Sequence, residues 1–353
     1  MHRQSAREKL HCLMQKTTKE QNVIPIFFTT DDNYVPYLCV AIKSIIAHCN
    51  PQQKYQVHVL NAGLSQDFMN KLKDLETNFL KVEFNDVSAQ IAKIKLALNE
   101  NLRDYYSDAI FYRIFIPQMF PQYHKAIYID CDVVVLTDIA NLFNTDMQGN
   151  YLASVTDEVA QSQPVLIDYV ENAVGIPIKD YFCSGVILFN LDAMREHKVA
   201  EKFVGLLTTY NFDTVAPDQD YLNVICKGHV LYLHPGWDKQ ANDQSYDDEL
   251  YIVHYNMFRK PWLYHDVPYE KYFWQYAKQT VFYQNMLQSR ANYTEAQKQA
   301  DFEGAKTMGT FCAGVLKNPK NFKNVLANRT VDEAIKNPVK FWLGCWVVLC
   351  AAR

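Results

Sequence analysis

Residues 125–138 read Lys125-Ala-Ile-Tyr-Ile-Asp-Cys-Asp-Val-Val-Val-Leu-Thr-Asp138. Two apolar runs, Ala126 to Ile129 and Val133 to Leu136, flank Asp130-Cys131-Asp132. Both runs have the composition of buried strand. An ionised carboxylate loses several kcal/mol of hydration on burial, so two of them between buried strands call for a positive partner. In an extended chain residues i and i+2 point to one side, which lets Asp130 and Asp132 face one cation. Oxygen ligands suit a hard ion such as Mg²⁺ or Mn²⁺. The stretch therefore predicts a divalent ion at the end of a central strand, with a phosphate on its far side. An Asp-x-Asp after a strand can also cap a helix or close a turn, so the rest of the chain has to decide.

The chain opens with an apolar run, Val23 to Phe28, then the polar turn Thr29-Thr-Asp-Asp-Asn-Tyr34. Leu38, Ala41, Ile42, Ile45 and Ile46 then recur at helical spacing through His48. Strand, loop and helix begin a βαβ unit, whose ligands bind at the carboxyl ends of the strands. The loop lacks Gly-x-Gly-x-x-Gly, so the dinucleotide fingerprint is absent. Its Asp, Asn and Tyr side chains can hold a base and ribose, or simply form an Asx turn. Tyr55 to Leu60 and Lys81 to Phe84 read as strands, separated by a helix from Ser65 to Phe79 that starts on a Ser cap. Ser107 to Phe120 reads as an aromatic helix containing Arg113, which either pairs locally or reaches a phosphate or sugar. Tyr151 to Val155 is a strand leading to Asp157. Ser184-Gly185 precedes a buried strand ending at Asn190, and Leu191 to Leu207 reads as one helix. Pro217 opens another helix, whose first turn favours the acidic Asp218 and Asp220. Val230 to Leu233 and Tyr251 to His254 are the last strands, and Tyr269 to Gln288 is helical.

Composition narrows the function. The chain has 353 residues, 49% hydrophobic and 21% charged, which is globular and long enough for a sizeable core. A net charge of −4 leaves no nucleic-acid footprint. Nine cysteines without a Cys-x-x-Cys pair argue against a thiolate zinc site and fit reduced thiols in a cytoplasmic protein. Met1 to Asn22 is a polar extension without the apolar segment of a signal peptide.

Six pieces together resemble glycosyltransferase family 8, the retaining, nucleotide-sugar-dependent group that includes lipopolysaccharide galactosyl- and glucosyltransferases. In chain order they are Thr30-Asp-Asp-Asn-Tyr34, Ser107-x-x-x-x-Tyr112-Arg113, Tyr128-Ile-Asp-Cys-Asp132, Phe182-x-Ser-Gly-Val-x-Leu-Phe-Asn190, Asp218-Gln-Asp220 and His254-Tyr-x-x-x-x-Lys-Pro-Trp262. The resemblance implies an α/β fold of GT-A type: a Rossmann-like, mostly parallel sheet with helices on both faces. It implies a catalytic domain over 23–267, followed by a helical region over 268–353. Asp130, Asp132 and His254 match the metal ligands of the family, for Mn²⁺ or Mg²⁺. Lys260 matches the lysine that grips the diphosphate of a UDP-sugar. Thr29, Asp31, Asn33 and Tyr34 match uracil and ribose positions, and Cys131 lies within the metal motif against the donor. Arg113, Asp157, Asp218 and Gln219 match positions around the donor sugar, with Asp218 and Gln219 as the catalytic pair. Cys183 stands where relatives commonly carry Asn, which leaves the choice of galactose, glucose or another sugar open.

Two rivals stay beside this reading. Asp130-x-Asp132-x-Val134 after an apolar strand also fits the nucleophile motif of haloacid-dehalogenase-type phosphatases. That motif belongs on the first strand, however, and about a hundred residues of βαβ pattern precede Asp130. A non-catalytic UDP-sugar binder would keep every site residue and never release UDP. The acceptor expected is a glycan or glycolipid of the cell surface. From Gly304 onward eight Lys/Arg face two Asp/Glu, and Phe341-Trp-Leu-Gly-Cys-Trp346 follows. Cations followed by Trp suit an anionic membrane surface on the cytoplasmic side; the competing reading is a C-terminal helix docked on the domain.

Overall fold

The computed structural model describes residues 23–89, 108–242 and 249–339. Among the described residues ten strands fall into two sheets. They are β1 (Val23–Thr29), β2 (Lys54–Asn61), β3 (Leu80–Asp86), β4 (Lys125–Ile129), β5 (Val133–Val135), β6 (Leu152–Ser154), β7 (Val186–Asn190), β8 (Val230–Tyr232), β9 (Lys239–Gln240) and β10 (Ile252–His254). The main sheet has the order β3-β2-β1-β4-β7-β6-β8, with β4 at its centre. Its pairings are parallel except around β7, which runs antiparallel to β4 and to β6. Alternation along the central strands supplies both faces. Phe27, Tyr128, Ile187 and Phe189 pack into one core. Ile26, Phe28, Ile127, Ile129, Val186 and Leu188 pack into the other.

This topology collects the distant motifs. β1 and β4 are parallel with Phe27 opposite Tyr128, so both strands end at one edge. β7 is antiparallel to β4, with Val186 opposite Ile129, and brings Ser184-Gly185 to that same edge. The opening stretch is not one broken strand. Asp130-Cys131-Asp132 is the hinge at which the chain leaves the main sheet for a second one, β5-β10-β9. There His254 of β10 lies opposite Val133 of β5.

Four helices differ from their predicted extents. The span 107–120 divides, among the described residues, into a 3-10 helix Asp108–Phe115 and the short helix Ile116–Met119. The helix after Ser65 covers only Gln66–Lys73, and the Ser65 side chain makes no cap bond. Asp32 holds the Ser65 amide instead, at 3.0 Å. The span 191–207 splits into Leu191–Glu196 and Val199–Tyr210 around Lys198, whose φ is +54°. Met194 and Val199 are both buried, and a five-residue step is out of phase with a helix of about 3.6 residues per turn. The break re-aims the second apolar face. The span 269–288 likewise divides into Glu270–Ala277 and Tyr283–Asn292.

The basic C-terminal stretch docks on the domain as far as it is described. Phe322, Val325 and Ala334 are buried, Phe322 meets Phe212 with ring centroids 4.0 Å apart, and the Tyr210 hydroxyl donates to the Ala334 carbonyl at 2.8 Å. Phe341 and the residues after it lie outside the described residues, as do Met1 to Asn22 and Ser107. Among the described residues no helix is long and apolar enough to cross a membrane.

Candidate active site

Asp130 and Asp132 each commit one oxygen to the protein and present the other. Asp130 Oδ1 accepts the Tyr128 hydroxyl at 2.7 Å and Arg113 Nη2 at 3.0 Å. Asp132 Oδ2 accepts Lys260 Nζ at 2.5 Å. The other oxygens converge on one imidazole nitrogen: His254 Nε2 lies 3.3 Å from Asp132 Oδ1 and 4.0 Å from Asp130 Oδ2. On the far side of the ring, His254 Nδ1 faces Asp238 Oδ1 at 2.9 Å. A carboxylate behind a histidine fixes the ring and leaves Nε2 as the ligating atom. Ligand atoms of Asp130, Asp132 and His254 lie within 4.8 Å of one another. Two carboxylate oxygens and an imidazole nitrogen fit a divalent cation of the Mn²⁺ type.

Charge explains the protonation pattern. Burial raises the Asp130 pKa, although Arg113 opposes it. Burial would also raise Asp132, but Lys260 and His254 outweigh it and hold this carboxyl well below the usual range. Burial lowers His254, yet Asp238 and Asp132 hold its imidazole well above the ordinary value. The site is thus a buried, negatively biased cup in which positive charge is welcome.

Arg113 is an internal scaffold. Its Nη1 donates to the Ser184 carbonyl at 2.5 Å, and Nε lies 3.2 Å from Asp218 Oδ2. The guanidinium stacks over Tyr128 at 4.2 Å. Each of its three nitrogens faces a protein oxygen. Gln219 is locked at both ends: its Oε1 accepts the Ser184 amide at 2.9 Å and its Nε2 donates to Asp157 Oδ2 at 2.8 Å. Asp157 uses Oδ1 to cap the helix Glu158–Ser162 through the Ala160 amide. Asp218 Oδ2 accepts the Ser184 hydroxyl at 3.1 Å. Asp157, Asp218 and Gln219 thus share one wall with Ser184.

At the opposite wall, Thr29 Oγ1 lies 2.8 Å from the Tyr128 hydroxyl, which links the first strand to Asp130. Asp31 Oδ1 accepts the Tyr34 amide at 3.1 Å, the Asx turn named as the simpler reading. That turn leaves Asp31, Asn33 and Tyr34 exposed. Although the Tyr34 ring is 40% exposed, partial burial of its hydroxyl, then the charges of Asp132 and Cys131, raise its pKa. The Cys131 thiol turns inward and donates to the Thr29 carbonyl at 3.1 Å, which leaves only its backbone toward the cup.

Several residues here were not singled out from sequence. Asp238 closes the run His234-Pro-Gly-Trp-Asp238 after the Val230 strand, but nothing local marks it as the partner of His254. Gly185 is required by close approach: a Cβ there would lie 2.2 Å from His254 Cε1 and 3.2 Å from Asp130 Oδ2. Tyr37 stacks on Trp262 at 3.7 Å and fastens the segment carrying Lys260 to the first helix. Asp220 is structural rather than catalytic. It accepts the hydroxyls of Tyr169 and Tyr181 at 2.6 and 2.7 Å, and burial pushes its pKa up to about 6.

Comparison with known proteins agrees with this geometry. The profile of glycosyl transferase family 8 matches residues 25–266. A putative glycosyltransferase of Haemophilus influenzae is 29% identical over 221 residues, covering 62% of this chain and 64% of that protein. The chain thus spans less than two thirds of that relative's length. The lipopolysaccharide 1,2-glucosyltransferase of Escherichia coli K12 is 24% identical over 252 residues, covering 67% of this chain and 72% of that one. Among solved structures, the galactosyltransferase LgtC in complex with donor and acceptor sugar analogs matches at 25% identity and a TM-score of 0.60, over 73% of this chain and 96% of LgtC. The bifunctional glycosyltransferase WbbM shares the fold with a TM-score of 0.67, at 22% identity, over 77% of this chain and 52% of that one. With its Asp-x-Asp hinge, its histidine and its locked glutamine set on a GT-A sheet, the chain belongs to glycosyl transferase family 8.

Proposed function

We propose that this chain is a retaining hexosyltransferase that moves glucose or galactose from a UDP-hexose to a glycan or glycolipid acceptor of the cell surface. The observation that carries this reading is the convergence of one free oxygen each from Asp130 and Asp132 on His254 Nε2, with Lys260 beside them. That set would hold Mn²⁺ between the protein and the diphosphate. When bound, the ion supplies Lewis-acid neutralisation of the leaving diphosphate. Imidazole as third ligand favours Mn²⁺ over Mg²⁺.

The protein residues divide the remaining work. Lys260 is held against Asp132 and the Tyr255 carbonyl, and would turn its ammonium from them to meet a phosphate oxygen. Asp31, Asn33 and Tyr34 line the exit of β1, where a uracil and ribose would sit. The wall of Asp157, Ser184, Asp218 and Gln219 would orient the sugar. Gln219 spends its carbonyl on the Ser184 amide, which makes it a poor nucleophile. This supports attack by the acceptor on the face the diphosphate leaves, within a short-lived ion pair. The phosphatase reading has no support here, since β1, β2 and β3 all precede Asp130. The buried Cys183 at the sugar edge favours one second reading, transfer of a different sugar from UDP.

The test is UDP release by the purified protein with Mn²⁺ and, in turn, UDP-galactose, UDP-glucose and UDP-N-acetylglucosamine. Slow hydrolysis of one donor, abolished by EDTA and by Asp130→Ala, is expected. UDP binding without release from any donor would favour a binder, and absence of binding would overturn the proposal.

A further inference from the structure

Cys183 and Asp238 form a second ligand set behind His254. Ligand atoms of Cys183, Asp238 and His254 lie within 4.8 Å of one another, and all three residues are buried. His254 turns Nδ1 to this side, 2.9 Å from Asp238 Oδ1. Asp238 Oδ2 is buried and has no hydrogen-bond partner. A buried carboxylate oxygen without a donor is costly, and a bound cation would satisfy it. Among the described residues, this set and Asp130/Asp132/His254 are the groups able to hold a metal ion.

We propose that Cys183, Asp238 and His254 Nδ1 form a second cation site, selective for thiophilic divalent ions of the Zn²⁺ type, and that filling it disables the Asp130/Asp132/His254 site. The second half rests on the metal reading given above. A thiolate, a carboxylate and an imidazole nitrogen are a zinc donor set, with bonds of about 2.0–2.3 Å. Tetrahedral ligands at those lengths stand roughly 3.3–3.8 Å apart, so small side-chain adjustments close the site. Binding replaces the S–H bond by a sulfur–metal bond and puts the metal on Nδ1 in place of a proton, so the thiol proton and one proton of the metal-free imidazolium pass to solvent. Mg²⁺ and Mn²⁺ prefer the carboxylate side.

The antagonism follows from the ring itself. A neutral imidazole has one N–H and one ligating lone pair. With Nδ1–H donating to Asp238, the lone pair sits on Nε2 and faces Asp130 and Asp132. With Nδ1 on a zinc-type ion, the hydrogen moves to Nε2 and points at Asp132 Oδ1, 3.3 Å away. One histidine then serves one site at a time.

Cd²⁺, titrated into the metal-free full-length protein, is the probe, read by the ultraviolet thiolate-to-Cd²⁺ charge-transfer band. The expected result is a band from one tight equivalent that is lost in Cys183→Ser and Cys183→Ala. It should shift at least about tenfold in affinity in Asp238→Asn and persist in Asp132→Asn. Melting temperatures establish that each variant is folded, and either Cys183 variant suffices. In a second arm, Mn²⁺ affinity is measured by paramagnetic resonance of the free ion. One equivalent of Cd²⁺ should weaken it about tenfold or more in the wild type and within twofold in Cys183→Ser. A missing wild-type band, or an unchanged band in folded Cys183 variants, overturns the site. An intact band without competition overturns the antagonism. Failure of Mn²⁺ to bind without Cd²⁺ counts against the catalytic metal reading, while the Cd²⁺ band still decides the second site.

Discussion

Replacing Gly185 by Ala tests the site through one methyl group. The added Cβ would stand 2.2 Å from His254 Cε1 and 2.8 Å from Nδ1. Carbon atoms in contact sit about 3.5–4.0 Å apart, so the ring must retreat by more than roughly 1 Å. His254 cannot retreat freely, because Asp238 holds it from behind and its neighbours are buried. Metal–ligand distances tolerate only about 0.2 Å. The methyl should therefore cost about 1–3 kcal/mol of stability as overpacking. Metal affinity should fall by about 10–100-fold, as expected for a displaced ligand. Isothermal titration with Mn²⁺ and thermal unfolding measure the two quantities on one sample. A variant that binds Mn²⁺ within twofold of wild type would refute both the tight approach of β7 to His254 and the assignment of this histidine as a ligand.

Three further outcomes follow from the same contacts. Lys260→Ala removes the nearest cation from the buried Asp132 and leaves only His254 facing it, so the metal-free protein should lose about 3–5 kcal/mol; Mn²⁺ should restore more melting temperature to this variant than to wild type, and equal shifts would count against a shared site. Asp220 has a folded pKa of about 6, above its unfolded value, so its contribution is fully present below about pH 4 and is lost as pH rises to 6. That loss is about 3 kcal/mol, and denaturant titrations at pH 5 and pH 7.5 should show a smaller difference in Asp220→Asn than in wild type. If the tail binds an anionic membrane surface, deleting 338–353 should move the protein from membrane to soluble fractions while UDP release persists; an insoluble, misfolded product would instead assign the tail to docking on the domain.

Much of the fold and of the site was legible because local chemistry carries it. Two carboxylates between apolar runs call for a positive partner, and the other matched motifs favour a cation over a cap or turn. The order of strands and the helix Val35–His48 follow from apolar period alone. The resemblance named Asp130, Asp132, His254, Lys260, Asp157 and Gln219; the fold sets the first four against one another and Asp157 against Gln219. Helix breaks were less legible: both halves around Lys198 pack into the same core, the left-handed Lys198 re-phases the second half onto it, and periodicity within either half looks continuous.

Tertiary structure alone decided the rest. The sequence determined that Asp130 and Asp132 interrupt a buried apolar stretch and need a positive partner, since that depends on the cost of burying charge. It did not determine that the motif is a hinge between two sheets, that β7 is antiparallel, or that Asp238 stands behind His254. Nor did it show that Gly185 must lack a side chain or that Arg113 is spent on holding Asp130, Ser184 and Asp218. Each of these depends on strand register between segments far apart in the chain. Register is fixed by the summed burial of whole strands, and no short window of residues contains that sum.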